Sequence, residues 1–140
     1  MRPSRTMRSR FIVVGKVHGK PRPKFRVVAG HAQTYQPPEG KRYERLIADE
    51  YRRQCGEMHD GPLMVTVQTY RELPKSTPKR VQSEPDTHKP DADNVAKSVL
   101  DALNGVAWHD DTQVVCLVVR KNPRARIAEY MTVEIVEVDE

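Results

Sequence analysis

The chain has 140 residues, 37% of them hydrophobic, which suffices for one domain with a modest core and leaves no room for several. Lys and Arg total 24 against 19 Asp and Glu, and the net charge of +5 favours a polyanionic partner without identifying one. No apolar run approaches the length of a membrane span. The two cysteines, Cys55 and Cys116, lie far apart and match no metal or redox spacing, and a reducing, cytoplasmic location is expected.

From Met1 to Val27 there are nine basic residues and no acidic one. Residues 1–10 read as a basic, disordered extension, and residues 11–140 as the domain. Phe11 to Val17 is rich in β-branched residues and predicts a first strand. Gly19 to Arg26 carries two prolines and cannot be a regular helix, while Arg26 to His31 suits an extended piece. Tyr43, Leu46, Ile47 and Tyr51 recur at near-helical spacing and predict a helix from Lys41 to Cys55, stopped by Gly56. Asp60-Gly61-Pro62 is a turn signal. Leu63, Val65 and Val67 alternate with Met64, Thr66 and Gln68 and predict a strand with one buried face. Glu72 to Pro90 is polar, proline-punctuated and long for a loop, a feature of functional or disordered segments. Val95, Val99, Ala102 and Leu103 form the apolar stripe of a second helix, Asp91 to Asn104. Thr112 to Arg120 is almost continuously apolar. It reads as a central strand covered on both faces, with Cys116 a buried thiol. Tyr130 to Val138 is a last alternating strand with Met131, Val133 and Ile135 inward. The fold class is therefore α+β, with about four main strands in a small mixed sheet and two helices.

The chemistry concentrates in Lys89 to Val114. Asp91 and Asp93 stand two apart where the second helix starts, and Asp110 and Asp111 lie just beyond its end. A short helix and a tight return can bring the two pairs together. Carboxylate oxygens are the ligands preferred by hard divalent cations, and Mg²⁺ takes few of them, leaving positions for a substrate phosphate. Adjacent residues of an extended chain point to opposite sides, so one of Asp110 and Asp111 is a direct ligand; we favour Asp111, with Asp110 in support. Lys97 lies four residues from both Asp93 and Asp101 on one helix face, where a cation can offset charge building on a phosphate. Each feature alone has a plainer reading: a helix N-cap for Asp91 or Asp93, a surface ion-pair ladder for Asp93, Lys97 and Asp101, a polar turn for Asp110-Asp111. Two acidic pairs flanking one helix in a basic chain outweigh those readings taken together. His88 and His109 read as loop residues, since neither has metal-ligand spacing. Trp108 reads as packed near the turn.

The segment KPDADNVAKSVLDALNGVAWHDDTQV resembles the signature of the RusA family of Holliday-junction resolvases of bacteria and their phages. The shared elements are K-P-D-x-D-N, a lysine three residues on, D-A-L-N-G and D-D-x-Q. GKPRPKFR and Tyr35 are similar in a looser way. The resemblance implies a homodimeric α+β fold that nicks four-way DNA junctions with Mg²⁺, replaceable by Mn²⁺, in recombination and repair. It implies an acidic site of Asp91, Asp93 and Asp111, with Lys97 also needed for catalysis and Asn94 and Asp101 in support. Lys20, Arg22, Lys24, Arg26, Lys75, Lys79, Arg80 and Lys89 are the candidate phosphate contacts. Three other readings are open: a less selective metal nuclease, an architectural DNA-binding protein without catalysis, and a D-x-D glycosyltransferase. The short basic chain, with no space for a nucleotide-binding domain, disfavours the last.

Overall fold

Alternation sets the sheet. In the computed structural model, which describes residues 7–21, 24–35 and 38–139, every second side chain of the strand Leu63–Tyr70 is buried, starting from Leu63. The strands in chain order are β1 (Arg8–Val14), β2 (Lys24–Val28), β3 (His31–Tyr35), β4 (Leu63–Tyr70), β5 (Ser83–Glu84), β6 (Val114–Lys121), β7 (Arg124–Ala125) and β8 (Tyr130–Glu137). The helices are α1 (Pro38–Gln54) and α2 (Ala92–Leu103). The main sheet is four-stranded and mixed, in the order β1-β8-β4-β6. β8 runs antiparallel to both β1 and β4, and β6 runs parallel to β4. The fold is thus α+β, with a four-strand mixed sheet and two main helices, as the periodicities imply.

β8 and β4 occupy the centre, and their inward residues Met131, Val133, Ile135, Leu63, Val65 and Val67 are inaccessible to solvent. Both helices pack on one face of the sheet, α1 over β1 and α2 over β6, and against each other. Tyr43, Ile47 and Tyr51 of α1 meet Val95, Val99 and Leu103 of α2 in one core. Gly56, with φ +95°, turns the chain out of α1, and Gly105, with φ +77°, does so after α2.

Three expectations need correction. The boundary at residue 11 falls inside β1, which starts at Arg8 and already buries Ser9, so Arg8 to Arg10 belong to the sheet. Residues 1–6 lie outside the described residues. Leu46, placed on the apolar stripe of α1, is 41% exposed, because it lies a residue off the line joining Tyr43, Ile47 and Tyr51. The largest departure is β6. It is an edge strand, with Val115 (51%), Leu117 (41%) and Val118 (44%) exposed, and Cys116 is exposed as well. Its long apolar run does not come from a central position in this chain's sheet.

The segment between β4 and α2 is ordered by specific contacts. β5 pairs with β7, and Arg124 forms an ion pair with Glu84. Arg126 donates to the carbonyls of Thr77, Pro78 and Val81. Arg71, just past β4, reaches Lys89 O at 2.6 Å, the buried Asp86 at 3.6 Å and Glu129 at 3.5 Å. Among the described residues, no helix is long and apolar enough to cross a membrane.

Arg71→Ala would leave the Asp86 and Glu129 carboxylates without their cation. Removing one partner of a buried ion pair costs about 3 kcal/mol or more. For a domain of this size that lowers Tm by roughly 10 °C. Thermal unfolding followed by circular dichroism measures it, and an unchanged Tm would show that the guanidinium is not what holds this segment.

Candidate active site

Asp91 occupies the N-cap position of α2, yet its side chain makes no capping hydrogen bond. Among the described residues, neither Asp91 nor Asp93 has a side-chain hydrogen bond or ion pair, and both are exposed. The plain N-cap reading therefore does not account for them. Lys97 stands one turn after Asp93 on the exposed side of α2, again without a side-chain partner among the described residues. The peptide before Pro90 is cis. Gly19 packs against this turn: a Cβ there would stand 2.6 Å from Pro90 Cβ and 2.9 Å from Asn94 Cβ. Lys20 N donates to Asn94 O at 2.9 Å and closes the contact. Glycine in GKPRPKFR is thus required by close approach to the start of α2.

An open cleft of about 460 Å³ borders Asp91. Lys16, His18, Arg71 and Lys89 line it together with Asn94, so one free carboxylate faces several cations. Lys16, His18 and Arg71 are absent from the sequence-based site. Their signal is weak because Lys16 and His18 belong to a different segment and Arg71 follows a strand, so only the fold joins them to Asp91. His18 stacks edge-on with Tyr43, with ring centroids 4.9 Å apart. Partial burial, and then the nearby Lys16 charge, lower the His18 pKa from 6.5. Burial pushes the Tyr43 hydroxyl up to about 12, so it stays protonated.

The second acidic pair lies elsewhere. Trp108 is fully buried, and its Nε1 donates to Asp111 Oδ1 at 2.8 Å. Asp110 precedes the short 3-10 turn Asp111–Gln113, its N–H donating to Gln113 Oε1 at 3.1 Å and its Oδ2 accepting from Thr112 Oγ1 at 2.9 Å. Gln113 Nε2 also donates to the carbonyls of His59 and Gly61, next to the start of β4. His88 O, by contrast, accepts from Lys121 at the end of β6, and Lys89 O from Arg71 beyond the end of β4. Asp91 therefore sits at the C-terminal ends of β4 and β6, and Asp111 at their N-terminal ends. α2 runs back along the strands between them. From the rise per residue the two pairs stand on the order of 20 Å apart. Within one chain the helix separates them rather than joining them, and no group of three His, Cys, Asp or Glu side chains converges among the described residues.

The candidate phosphate contacts also divide. Lys20 is engaged inside the protein: its Nζ lies 2.9 Å from Glu44 and 2.8 Å from Asp101, clamping α1 to α2. Partial burial opposes its charge, but hydrogen bonds to Asp101 and Glu44 outweigh that, and its pKa is raised. It is therefore a structural cation, contrary to expectation. Lys89 lines the cleft, whereas Lys75, Lys79 and Arg80 are exposed on the segment between β4 and β5. Arg26 is exposed on the β2–β3 hairpin. Arg22 and the side chain of Lys24 lie outside the described residues. His109 pairs with Asp60 at 2.8 Å, and His88 is exposed.

One other polar line has the residue types of a hydrolytic triad. His59 Nε2 is 2.7 Å from Ser9 Oγ, and its Nδ1 is 3.2 Å from Glu137 Oε1. Both His59 and Ser9 are buried, and Ser9 also donates to Glu57 at 3.2 Å. The line fastens β1, β8 and the 57–60 segment and has no access for a substrate.

Hard oxygen donors beside a cluster of cations, on a small α+β domain, define a protein suited to a phosphodiester backbone. Comparison with known proteins narrows the class. The family described as Endodeoxyribonuclease RusA matches residues 15–135. The chain is also 34% identical over 123 residues to the uncharacterized protein YqaN of Bacillus subtilis (strain 168), covering 80% of this chain and 85% of that protein. This chain belongs to the RusA endodeoxyribonuclease family, whose activity is resolution of Holliday junctions.

Two predictions concern the cleft. Gly19→Ala forces Pro90 or Asn94 to move, at a cost of about 1–3 kcal/mol; unfolding should shift to lower temperature, and an unchanged Tm would mean that the two segments part freely. The second is the His18 titration. Its folded pKa is depressed, so the folded state binds this proton more weakly than the unfolded chain does. The contribution is present above pH 6.5 and is lost as pH falls through the folded-state pKa. Imidazole titration by NMR should give a midpoint below 6.5, moving upward in Lys16→Ala.

Proposed function

We propose that this protein is a Mg²⁺-dependent resolvase of four-way DNA junctions, acting as a homodimer that introduces paired symmetric nicks in recombination and repair. The observation that carries the reading is the unpartnered pair Asp91 and Asp93 beside a cation-lined cleft, in a chain of the RusA family.

The residues present fit the ion. Mg²⁺ is commonly held by one or two carboxylates together with substrate phosphate oxygens and water. Asp91 and Asp93 would supply the carboxylates, and Asp111 a third from the other acidic pair. When bound, the ion supplies Lewis-acid stabilisation of charge that builds on the scissile phosphate. Lys89 and Lys16, which line the cleft, would hold the flanking backbone by charge and carry no sequence information. Lys97, exposed one turn from Asp93, adds a further positive charge near the scissile group. Lys75, Lys79, Arg80 and the hairpin's Arg26 would extend the backbone contact, so affinity should fall steeply with salt.

The separation of Asp91 from Asp111 supports the dimer. A four-way junction has approximate two-fold symmetry, and two related nicks need two related sites. In a C2 dimer, Asp111 of one copy can face Asp91 and Asp93 of the other, an arrangement that a single chain of this fold does not reach. Two half-acidic ends on each chain then become two complete sites.

The test uses a labelled four-way junction and a matching linear duplex, with Mg²⁺ or EDTA. Symmetric nicks in the junction alone, absent with EDTA, are expected. Asp93→Asn and Asp111→Asn should each lower nicking at least about 100-fold while leaving junction binding intact. A mixed dimer of the two variants, purified through two different tags, should recover one nick per junction. Its one unmutated site takes Asp93 from one copy and Asp111 from the other. If each site were built within one chain, the mixed dimer would be as inactive as its parents. Equal cutting of duplex and junction would instead favour a less selective nuclease.

A further inference from the structure

We propose that the outer edge of β6 is the surface through which two copies associate, by antiparallel pairing of β6 with its two-fold mate. This rests on the dimeric reading above and adds the surface to it. β6 ends the sheet, and among the described residues its outer backbone groups have no strand partner. Edge strands of monomers are ordinarily blunted by charge, proline, bulges or cover. The other edge, β1, follows that pattern, with Arg8 and Arg10 exposed along it. β6 does the opposite. Val115 and Leu117 are exposed, and so are Cys116 and Val118. An edge strand that is apolar on both faces matches the composition of a strand buried on both sides. A second sheet edge with the same residues provides that burial.

The charge pattern selects a second copy in antiparallel register. β6 has Asp110 and Asp111 before its first residue and Arg120 and Lys121 at its end. Antiparallel pairing sets the acidic end of each copy against the basic end of the other, whereas parallel pairing would set like charges side by side. A register centred on Leu117 aligns the apolar stretch with itself and leaves both charged ends outside it. β1 offers no such complementarity, because it carries arginines and no carboxylate.

The same pairing has a consequence at the acidic ends. Lys121 lies against His88 through its bond to the His88 carbonyl, so the C-terminal end of β6 carries the Lys89-Pro90-Asp91 turn beside it. The acidic N-terminal end of the partner's β6 is brought to that turn. The two sheets join into one of eight strands, and the four acidic ends become two clusters related by the two-fold axis.

Size-exclusion chromatography with light scattering at micromolar concentration tests the surface. The wild-type chain should be a dimer. Val118→Lys should be a monomer with an unchanged circular dichroism spectrum, while Val14→Lys, on the exposed edge β1, should stay dimeric. A dimeric Val118→Lys protein would overturn the β6 surface and leave the dimeric reading standing. A wild-type monomer, with and without junction DNA, would overturn both. A spin label on Cys116, in a Cys55→Ser background, reads the same contact without adding charge. The register places the two labels as diagonal neighbours, about 7–8 Å apart at the backbone, so dipolar broadening is expected. An unbroadened spectrum from a dimer that light scattering confirms would likewise overturn the proposal.

Discussion

The guanidinium of Arg71 is the point on which the candidate site depends. It extends from the end of β4 and touches three acceptors on two other segments: Lys89 O, Asp86 and Glu129. Glu129 in turn accepts from Val17 N at 2.7 Å and Glu72 N at 3.1 Å. One cation and one carboxylate thus bind together the exits of β1 and β4, the turn before α2 and the approach to β8. The planar fork of arginine suits the task, since a lysine would offer a point charge to acceptors lying in several directions. Asp86 gives the measure of the constraint. Its side chain is wholly buried, and one carboxylate oxygen has no hydrogen-bond partner among the described residues. Such a group is tolerable only while a cation stands beside it.

The turn that Arg71 fixes determines where the acidic residues go. With Lys89 and Pro90 held at the C-terminal ends of β4 and β6, α2 must run back antiparallel to those strands. Asp111 is then delivered to the opposite end, where Trp108 and Gln113 hold it in place. The fold therefore holds the two acidic pairs on rigid elements at opposite ends of one chain rather than together. Rigid elements position ligands more closely than loops do, so the division carries an advantage if the halves meet across a symmetry axis. Catalysis would then require assembly, and a lone chain would cut nothing.

The amino-acid sequence revealed much of this and missed a definite part. β4 and β8 were legible because large apolar residues recur at every second position, Leu63, Val65 and Val67 in one and Met131, Val133 and Ile135 in the other. α1 and α2 were legible because their stripes are amphipathic and glycines follow them. Several of the errors share one cause, since they needed a contact far along the chain. Lys20 looked like a phosphate contact until Glu44 and Asp101 were seen on either side of it. Arg71 and His18 carry no local motif, and only the Gly19–Pro90 contact and the Arg71 bonds bring them to the cleft. Convergence of the two acidic pairs was inferred from closeness in sequence, but a helix of twelve residues is long enough to hold its ends apart.

β6 is the most informative of the departures. Its composition matches a strand covered on both faces, yet within one chain it forms the sheet edge, with Val115, Cys116, Leu117 and Val118 exposed. A single chain does not supply the burial that such a composition matches. A bare apolar edge invites indiscriminate pairing, which is a hazard in any cell. Charges of opposite sign at its two ends limit that hazard. They favour the antiparallel mate, disfavour parallel stacking and oppose slippage, since a shift of register buries Arg120 or Asp111 against apolar neighbours. Burying the edge and completing the acidic sites would then be one event, so the exposed form of the strand would also be the inactive form of the enzyme.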